Sequence, residues 1–169
     1  MLEQLVLLGN RFGDRGATAL SSALAAGCAP KLIMLHLSNN MISLAGARAL
    51  VGGLRGTPLL KELYLSSNRL NSYGASALAT SLEHCPVLEQ LHLVSNNMGS
   101  VGFTAIAQSL QWLKRLTHLN LSCNSGGPGG VSALAAAFRA NSTPHLVELQ
   151  VCLGVENYAG FLSSIWVSF

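Results

Sequence analysis

Charged residues are scarce in this chain of 169 residues, and several familiar signals are missing. Asp, Glu, Lys and Arg together make up 10% of the residues, against roughly 25% in an ordinary soluble domain. The net charge of +3 is not gathered into a basic cluster, so the sequence lacks the electrostatic footprint of a nucleic-acid-binding protein. The length nevertheless suffices for one domain with a substantial core.

Membrane and secretion signals are also lacking. The longest stretch without a charged residue, Gln90 to Leu113, is interrupted by asparagines and glycines, so we expect no membrane span. The N-terminus has no basic segment followed by an apolar segment and a small-residue cleavage site. The four cysteines form no CxxC pair, which favours free thiols in an intracellular, cytoplasmic protein.

The dominant feature that is present is an internal repeat. The pattern LxxLxLxxN occurs as LEQLVLLGN, LIMLHLSNN, LKELYLSSN, LEQLHLVSN and LTHLNLSCN, and a degraded sixth copy reads LVELQVCLG. The asparagine column advances in steps of 28 or 30 residues, and a glycine follows six residues after each step. We therefore predict a single domain over residues 1–169, with units that start near residues 2, 32, 60, 88, 116 and 146.

Each unit combines two periodicities. Leu35 and Leu37 are two residues apart, which places both on one side of a short strand and His36 on the other side. From Gly46 to Leu54 the apolar residues recur at helical spacing and form one stripe. A unit is therefore predicted to run strand, turn, helix, turn. Because neither the strand nor the helix can bury its apolar side alone, the units are expected to stack.

These units of 28 to 30 residues, with their Gly-Ala-x-x-Leu helix, resemble the ribonuclease-inhibitor class of leucine-rich repeat. The resemblance covers essentially the whole chain. It implies an α/β solenoid, a curved horseshoe of about six repeats with a parallel sheet on the concave side and helices on the convex side. It also implies a non-enzymatic module that binds other proteins in a scaffold or recognition role, since most relatives bind macromolecules.

The resemblance places partner binding on the outward strand positions, which are the third, fifth and seventh places of LxxLxLxxN. From these positions we select as candidate partner-binding residues Met34, His36, Glu62, Tyr64, Gln90, His92, His118 and Asn120. Such side chains offer donors and acceptors with little charge, which suits a polypeptide better than a phosphate backbone. We therefore predict a protein partner, with no binding of nucleic acid or membrane.

Catalytic, metal and cofactor sites are not indicated by the sequence, and none is predicted. His36 and His92 should lie about 10 Å apart, two strands away from each other, which is too far to share a metal ion. His118 could approach His92, but no third ligand is evident. The run Gly126–Gly130 lacks the lysine of a phosphate-binding loop and is predicted to be a loose turn between strand and helix.

Two alternatives from other functional classes stay open. One is a regulator of a small GTPase, similar to the Ran GTPase-activating proteins, in which an arginine on a specialised strand-to-helix loop acts near the nucleotide. Arg11 and Arg69 follow the asparagine column, but their loops have the standard length and match no such motif. The other is a ligand-sensing segment of an intracellular immune-type receptor.

The two ends of the chain lead to a separate expectation. The sequence begins directly with a repeat and has no polar capping unit before it. At the other end Gly160 and Phe161 keep the register, and Ile165, Trp166 and Val167 are expected to add apolar bulk to a final helix. We therefore expect the chain to be part of a longer array or to self-associate through uncapped ends.

Overall fold

Short strands alternate with helices along the chain in the computed structural model, which describes residues 2–152 and the backbone of residues 164–168. The first six strands are β1 (Gln4–Val6), β2 (Met34–His36), β3 (Glu62–Tyr64), β4 (Gln90–His92), β5 (His118–Asn120) and β6 (Glu148–Cys152). The helices that follow the first five strands are α1 (Gly13–Ala25), α2 (Leu44–Leu54), α3 (Asn71–Ser81), α4 (Gly99–Ser109) and α5 (Gly127–Arg139). Single 3-10 turns at Leu82–His84 and Leu110–Trp112 continue α3 and α4.

The six strands lie side by side in chain order and are all parallel. Their register aligns equivalent places of the repeat, so Leu35 lies beside Leu63 and His36 lies beside Tyr64. Consecutive helices pack against one another on the other side of the sheet. The predicted α/β solenoid, with the sheet on the concave side and the helices on the convex side, is confirmed.

Leucines from three places of the repeat form the core between sheet and helices. In the second to fifth units the leucines at the first, fourth and sixth places are almost fully buried, for example Leu60, Leu63 and Leu65, each at most 1% exposed. Leu50 and Leu78 pack against them from the helices. Burial of this kind contributes about 25 cal/mol per Å² of apolar surface, and it is available only because neighbouring units cover each other.

The asparagine column forms a buried ladder that connects successive units. Asn68 donates through Nδ2 to the carbonyl oxygens of Leu65 and Ser66 in its own unit and of Leu37 in the preceding unit, at 2.9, 3.4 and 3.0 Å. Asn40, Asn96 and Asn124 repeat this arrangement. Each amide thus provides a partner for the buried carbonyl groups of sixth-place leucines in two adjacent units, such as Leu37 and Leu65.

The glycine column serves close packing between consecutive units. A Cβ atom on Gly46 would lie 2.5 Å from Asp14 Oδ1 and 2.7 Å from Ile42 Cγ2. The same Asp14 carboxylate accepts hydrogen bonds from the backbone N–H groups of Ser43 and Gly46 and from the Ser43 hydroxyl. It therefore caps the start of α2 from the neighbouring unit. Burial alone would raise the pKa of Asp14, but these three hydrogen bonds outweigh it and lower the pKa.

The glycine-rich segment is packed rather than loose, so the predicted turn over Gly126–Gly130 was wrong. Helix α5 already begins at Gly127. Phe103 of α4 is completely buried and takes the place that Ala47 and Ala75 occupy in the preceding helices. A Cβ atom on Gly126 would lie 2.6 Å from two carbons of the Phe103 ring. The glycines therefore make room for an aromatic ring in the adjacent unit.

The predicted final helix was also wrong where the structure describes it. Ser164–Ser168 is a strand, β7, which pairs antiparallel with β6 and aligns Val167 with Leu149. Ile165, Trp166 and Val167 are β-branched or aromatic and favour a strand, and pairing satisfies the edge of β6. The predicted register positions Gly154, Gly160 and Phe161 lie outside the described residues.

Phe103 and Gly126 should show strong energetic coupling. Phe103→Ala is expected to lower the free energy of unfolding by about 3–5 kcal/mol, because it leaves a cavity. Gly126→Ala should cost about 1–3 kcal/mol, because the buried ring cannot move away from the new methyl group.

The double variant Phe103→Ala/Gly126→Ala should be more stable than the sum of the two changes implies, by at least about 0.5 kcal/mol. Urea titrations of the four proteins measure this difference. Strictly additive effects would contradict the packing described here. Gly52→Ala is a suitable control, since nothing lies within 4 Å of its added Cβ atom.

Candidate partner-binding face

The eight predicted binding residues lie in two adjacent columns on the outward side of the sheet, which we call the outer sheet face. The third-place column contains Met34, Glu62, Gln90 and His118, and the fifth-place column contains His36, Tyr64, His92 and Asn120. All eight side chains are half-buried, whereas the leucines between them on each strand are buried. The alternation of the strand thus brings all eight together on one surface.

Three aromatic rings form a continuous stack along the fifth-place column. The ring centroids of His36 and Tyr64 are 4.8 Å apart, and those of Tyr64 and His92 are also 4.8 Å apart. The first pair is tilted by 43° and the second is nearly parallel, at 22°. The spacing equals that of neighbouring strands, so the rings fit onto the sheet without distortion. Because the flat sides of neighbouring rings lie towards each other, the ring edges are what a partner could contact.

The Tyr64 hydroxyl joins the two columns. Its oxygen lies 2.9 Å from Glu62 Oε2 and 2.9 Å from Gln90 Oε1. A hydroxyl carries a single proton, so the Tyr64 hydroxyl donates to the Glu62 carboxylate. When the Gln90 amide is rotated by half a turn, so that its oxygen and nitrogen exchange places, its nitrogen donates to the hydroxyl oxygen. Burial, followed by the hydrogen bond and the negative charge of Glu62, raises the pKa of Tyr64 to about 12. The hydroxyl therefore stays protonated and fixed in place at neutral pH.

His92 lies at the centre of the face and carries a buried polar atom that no protein group satisfies. Its Nε2 atom has no hydrogen-bond partner among the described residues. Burial lowers the pKa of His92, and His118 on the next strand adds to this effect, while the charges of Glu148 and Glu62 oppose it. An unpaired buried imidazole nitrogen is uncommon in a folded protein.

A second polar network continues the face over the last two parallel strands. Asn120 donates to Gln150, and Gln150 donates to the carboxylate of Glu148. His118 Nε2 lies 3.7 Å from the same carboxylate. Glu148 and Gln150 were not among the predicted binding residues, although the degraded sixth repeat, LVELQVCLG, places them in register. They extend the outer sheet face by one strand.

The orientation of His118 is set by Thr117, which sequence reasoning also missed. The Thr117 hydroxyl donates to the carbonyl oxygen of Glu89 at 2.9 Å and lies 2.8 Å from His118 Nδ1. Because that hydroxyl has only one proton, His118 Nδ1–H must donate to it. The Nε2 atom of His118 lies on the other side of the ring and faces Glu148.

The outer sheet face contains only a small hollow, whereas a larger groove lies between two helices. The hollow lined by His92, His118 and Glu148 measures only about 20 Å³. A groove of about 540 Å³ lies instead between α3 and α4, with Trp112 at its border. Small-molecule pockets usually enclose their ligand, whereas a protein partner needs an extended accessible surface.

Two further observations concern other ligands. Among the side chains that the structure describes, no three of His, Cys, Asp and Glu converge as the ligands of a metal ion would. None of the helices in the described part of the chain combines the length and apolarity needed to cross a bilayer.

Comparisons with known proteins agree with this architecture. Solved structures with the same fold include one described as leiomodin-1 actin-binding site 2, with a TM-score of 0.68, 19% identity, and coverage of 79% of this chain and 77% of that chain. Another is the tropomodulin C-terminal domain of Caenorhabditis elegans, with a TM-score of 0.66, 17% identity, and coverage of 83% and 84%. No curated protein sequence matches the chain significantly. The family model described as a leucine-rich repeat matches residues 1–21, 58–79, 84–107 and 115–135, just over half of the sequence. The chain belongs to the leucine-rich-repeat family.

Proposed function

We propose that this protein is a non-enzymatic interaction module that binds a polypeptide partner on its outer sheet face. The observation that carries the proposal is the stack of His36, Tyr64 and His92, which places three amphipathic rings at the centre of an open sheet. Aromatic side chains at the centre of an interface tend to contribute most of its binding energy. Polar side chains surround this stack on both columns, as in the rim of a protein interface.

Preorganisation of the site supports the same proposal. Tyr64 is held by Glu62 and Gln90, and His118 is held by Thr117. A side chain that is already ordered loses little conformational entropy when a partner binds.

Similar proteins support the class of function only. One structural neighbour is described as an actin-binding site, so at least one protein of this fold binds another protein through such a domain. At 19% identity the likeness extends to the fold, and actin is one reasonable first protein to test. An intracellular site of action belongs to the same proposal, supported by the free thiols of Cys28, Cys85 and Cys123.

The two functional alternatives make different predictions about the residues involved. A regulator of a small GTPase would depend on Arg11 or Arg69, whose loops lie at the edge of the sheet rather than on its face. Loss of stimulated GTP hydrolysis in Arg11→Ala or Arg69→Ala would favour that alternative. A segment of an immune-type receptor would still bind its ligand on the outer sheet face, so mutation of the face does not separate it from the proposal.

Replacement of Tyr64 should weaken partner binding with little effect on folding. We expect Tyr64→Ala to reduce affinity by about 2 kcal/mol or more, roughly thirtyfold, because it removes the centre of the ring stack. Partners captured from a native lysate by the wild-type protein are identified by mass spectrometry, and the affinity of each purified partner is then measured by calorimetry.

The chain offers a matched control of the same residue type. Tyr73 lies on α3 at 70% exposure, so Tyr73→Ala removes an identical side chain from the helix side. It should leave affinity unchanged. Leu65→Ala, which removes a buried leucine, should instead lower the free energy of unfolding by about 2–5 kcal/mol. A partner that is lost with Tyr73→Ala but retained with Tyr64→Ala would place binding on the helices and refute the proposal.

The titration of Tyr64 should reveal its bond to Glu62. Since its pKa in the folded protein is about 12 and that of a phenol in an unfolded chain is about 10, the folded state favours the protonated form. Tyr64 therefore contributes stability that is fully present below about pH 10 and is lost as the pH rises towards 12.

Phenolate absorbance measures this titration directly. Tyr64→Phe should remove a component that titrates near pH 12, and Glu62→Gln should move that component to lower pH because a negative charge is lost. If the component removed by Tyr64→Phe titrates near pH 10 instead, the buried hydrogen-bonded arrangement is incorrect.

A further inference from the structure

Charge is segregated between the outer sheet face and the rest of the molecule. The face carries two carboxylates, Glu62 and Glu148, and none of its third- and fifth-place positions holds a lysine or arginine. All ten lysines and arginines lie on helices, on loops or at the sheet border. Because the chain has a net charge of +3 and the face accounts for −2, the remainder carries +5. The face is thus a negative region on a positive protein.

Neither carboxylate on the face is neutralised by a permanent cation. Among the described residues, the carboxylates of Glu62 and Glu148 form no ion pair with a lysine or arginine. Lys61, the nearest lysine in sequence, pairs with Glu89 at 2.9 Å. Glu62 and Glu148 are both half-buried, and the side chain of Glu148 remains 34% exposed. A partner can therefore reach these two charges and would be their first full counter-ion.

Three histidines lie among these carboxylates. His36 is on β2, His92 on β4 and His118 on β5, while Glu62 and Tyr64 on β3 and Glu148 on β6 complete the titratable groups of the described face. With neutral histidines the face carries −2, and with all three protonated it carries +1. The lowered pKa of His92, caused mainly by burial, keeps that imidazole neutral at neutral pH. Each proton taken up by one of these imidazoles therefore reduces the negative charge of the face by one.

We propose that the outer sheet face binds a cationic polypeptide segment, rich in lysine and arginine, and releases it on acidification. This inference rests on the proposed function and adds the charge of the partner to it. A cationic segment would place its positive groups against Glu62 and Glu148, about 14 Å apart over three strand spacings. Its apolar or amide groups would lie across the ring stack and beside His92.

The overall charge of the protein makes this proposal easy to test, because non-specific electrostatic interaction with a cationic peptide is repulsive. At +3, the protein as a whole repels cationic peptides. The test uses a random library of displayed peptides, each about twelve residues long. An extended peptide of this length spans the roughly 24 Å across the face. The library is selected on the wild-type protein near pH 7.5 and counter-selected on Tyr64→Ala, so that only peptides bound to the face are kept.

The retained peptides should carry more lysine and arginine than the starting library. A synthetic copy of one of them should bind at least about fivefold more weakly to Glu62→Gln/Glu148→Gln. Glu83→Gln removes the same charge from an exposed site outside the face and should leave binding unchanged. Circular dichroism verifies that each variant is folded.

The outcomes separate this inference from the proposed function. Retained peptides that are neutral or acidic, or that ignore the double glutamine variant, would overturn the cationic partner and leave the binding face intact. If no peptide distinguishes the wild-type protein from Tyr64→Ala, the proposed function itself fails.

The acid response needs its own measurement. The anisotropy of a labelled cationic peptide should show affinity falling at least about tenfold between about pH 7.5 and about pH 5.5. The triple variant His36→Gln/His92→Gln/His118→Gln should lose most of this dependence. An affinity that is equal at both pH values, or an equal fall in the triple variant, would refute release by the histidines.

Discussion

The ladder of buried asparagines is the interaction on which the rest of the structure depends. A chain that leaves each strand after only three residues must turn towards a helix while its carbonyl groups are already covered by the next unit. Each asparagine amide satisfies carbonyl groups on both sides of that turn, and the bonds from Asn40, Asn68, Asn96 and Asn124 to the preceding unit measure 2.7–3.0 Å. Because an unpaired buried carbonyl costs about 1–3 kcal/mol, a shift of register by one residue would be penalised in every unit. The ladder is incomplete at Asn96 Oδ1, which has no described partner.

A fixed register turns positions of the repeat into columns of the surface. Residues that are 28 or 30 apart in sequence become neighbours at the spacing of adjacent strands. This explains why His36, Tyr64 and His92 can stack at 4.8 Å although nothing near them in sequence connects them. The same columns bring Asn120 beside Gln150 and His118 beside Glu148. The composition of the outer sheet face is therefore a direct consequence of which residue occupies one place in each unit.

Periodicity alone predicted the strands, the helices, the core leucines and the membership of the outer sheet face, because a period of two and a period of 3.6 determine which side each residue takes. Features that depend on contacts between units could not be obtained in this way. The space that Gly126 leaves for the Phe103 ring is one example, since it depends on the size of a residue in the neighbouring helix. The left-handed turn before each asparagine is another, at φ between 54° and 75° in five units, because Ser67, Ser95 and Cys123 give no sign of it. The strand β7 was missed because helical register was extended to residues whose side-chain types favour strands.

The core and the outer sheet face use different side chains of the same strands. Leu63 and Leu65 point into the core and hold the units together, while Glu62 and Tyr64 point outward and bond chiefly to each other and to Gln90. The hydroxyl of Tyr64 thus bonds only to side chains of the face. The asparagine ladder, by contrast, bonds only backbone carbonyl and N–H groups, so it does not depend on which outward side chains are present. An outward residue can therefore change without loss of the register that positions its neighbours. This separation allows a single scaffold of leucines and asparagines to present a surface whose charge and chemistry are set by one side chain per column in each unit.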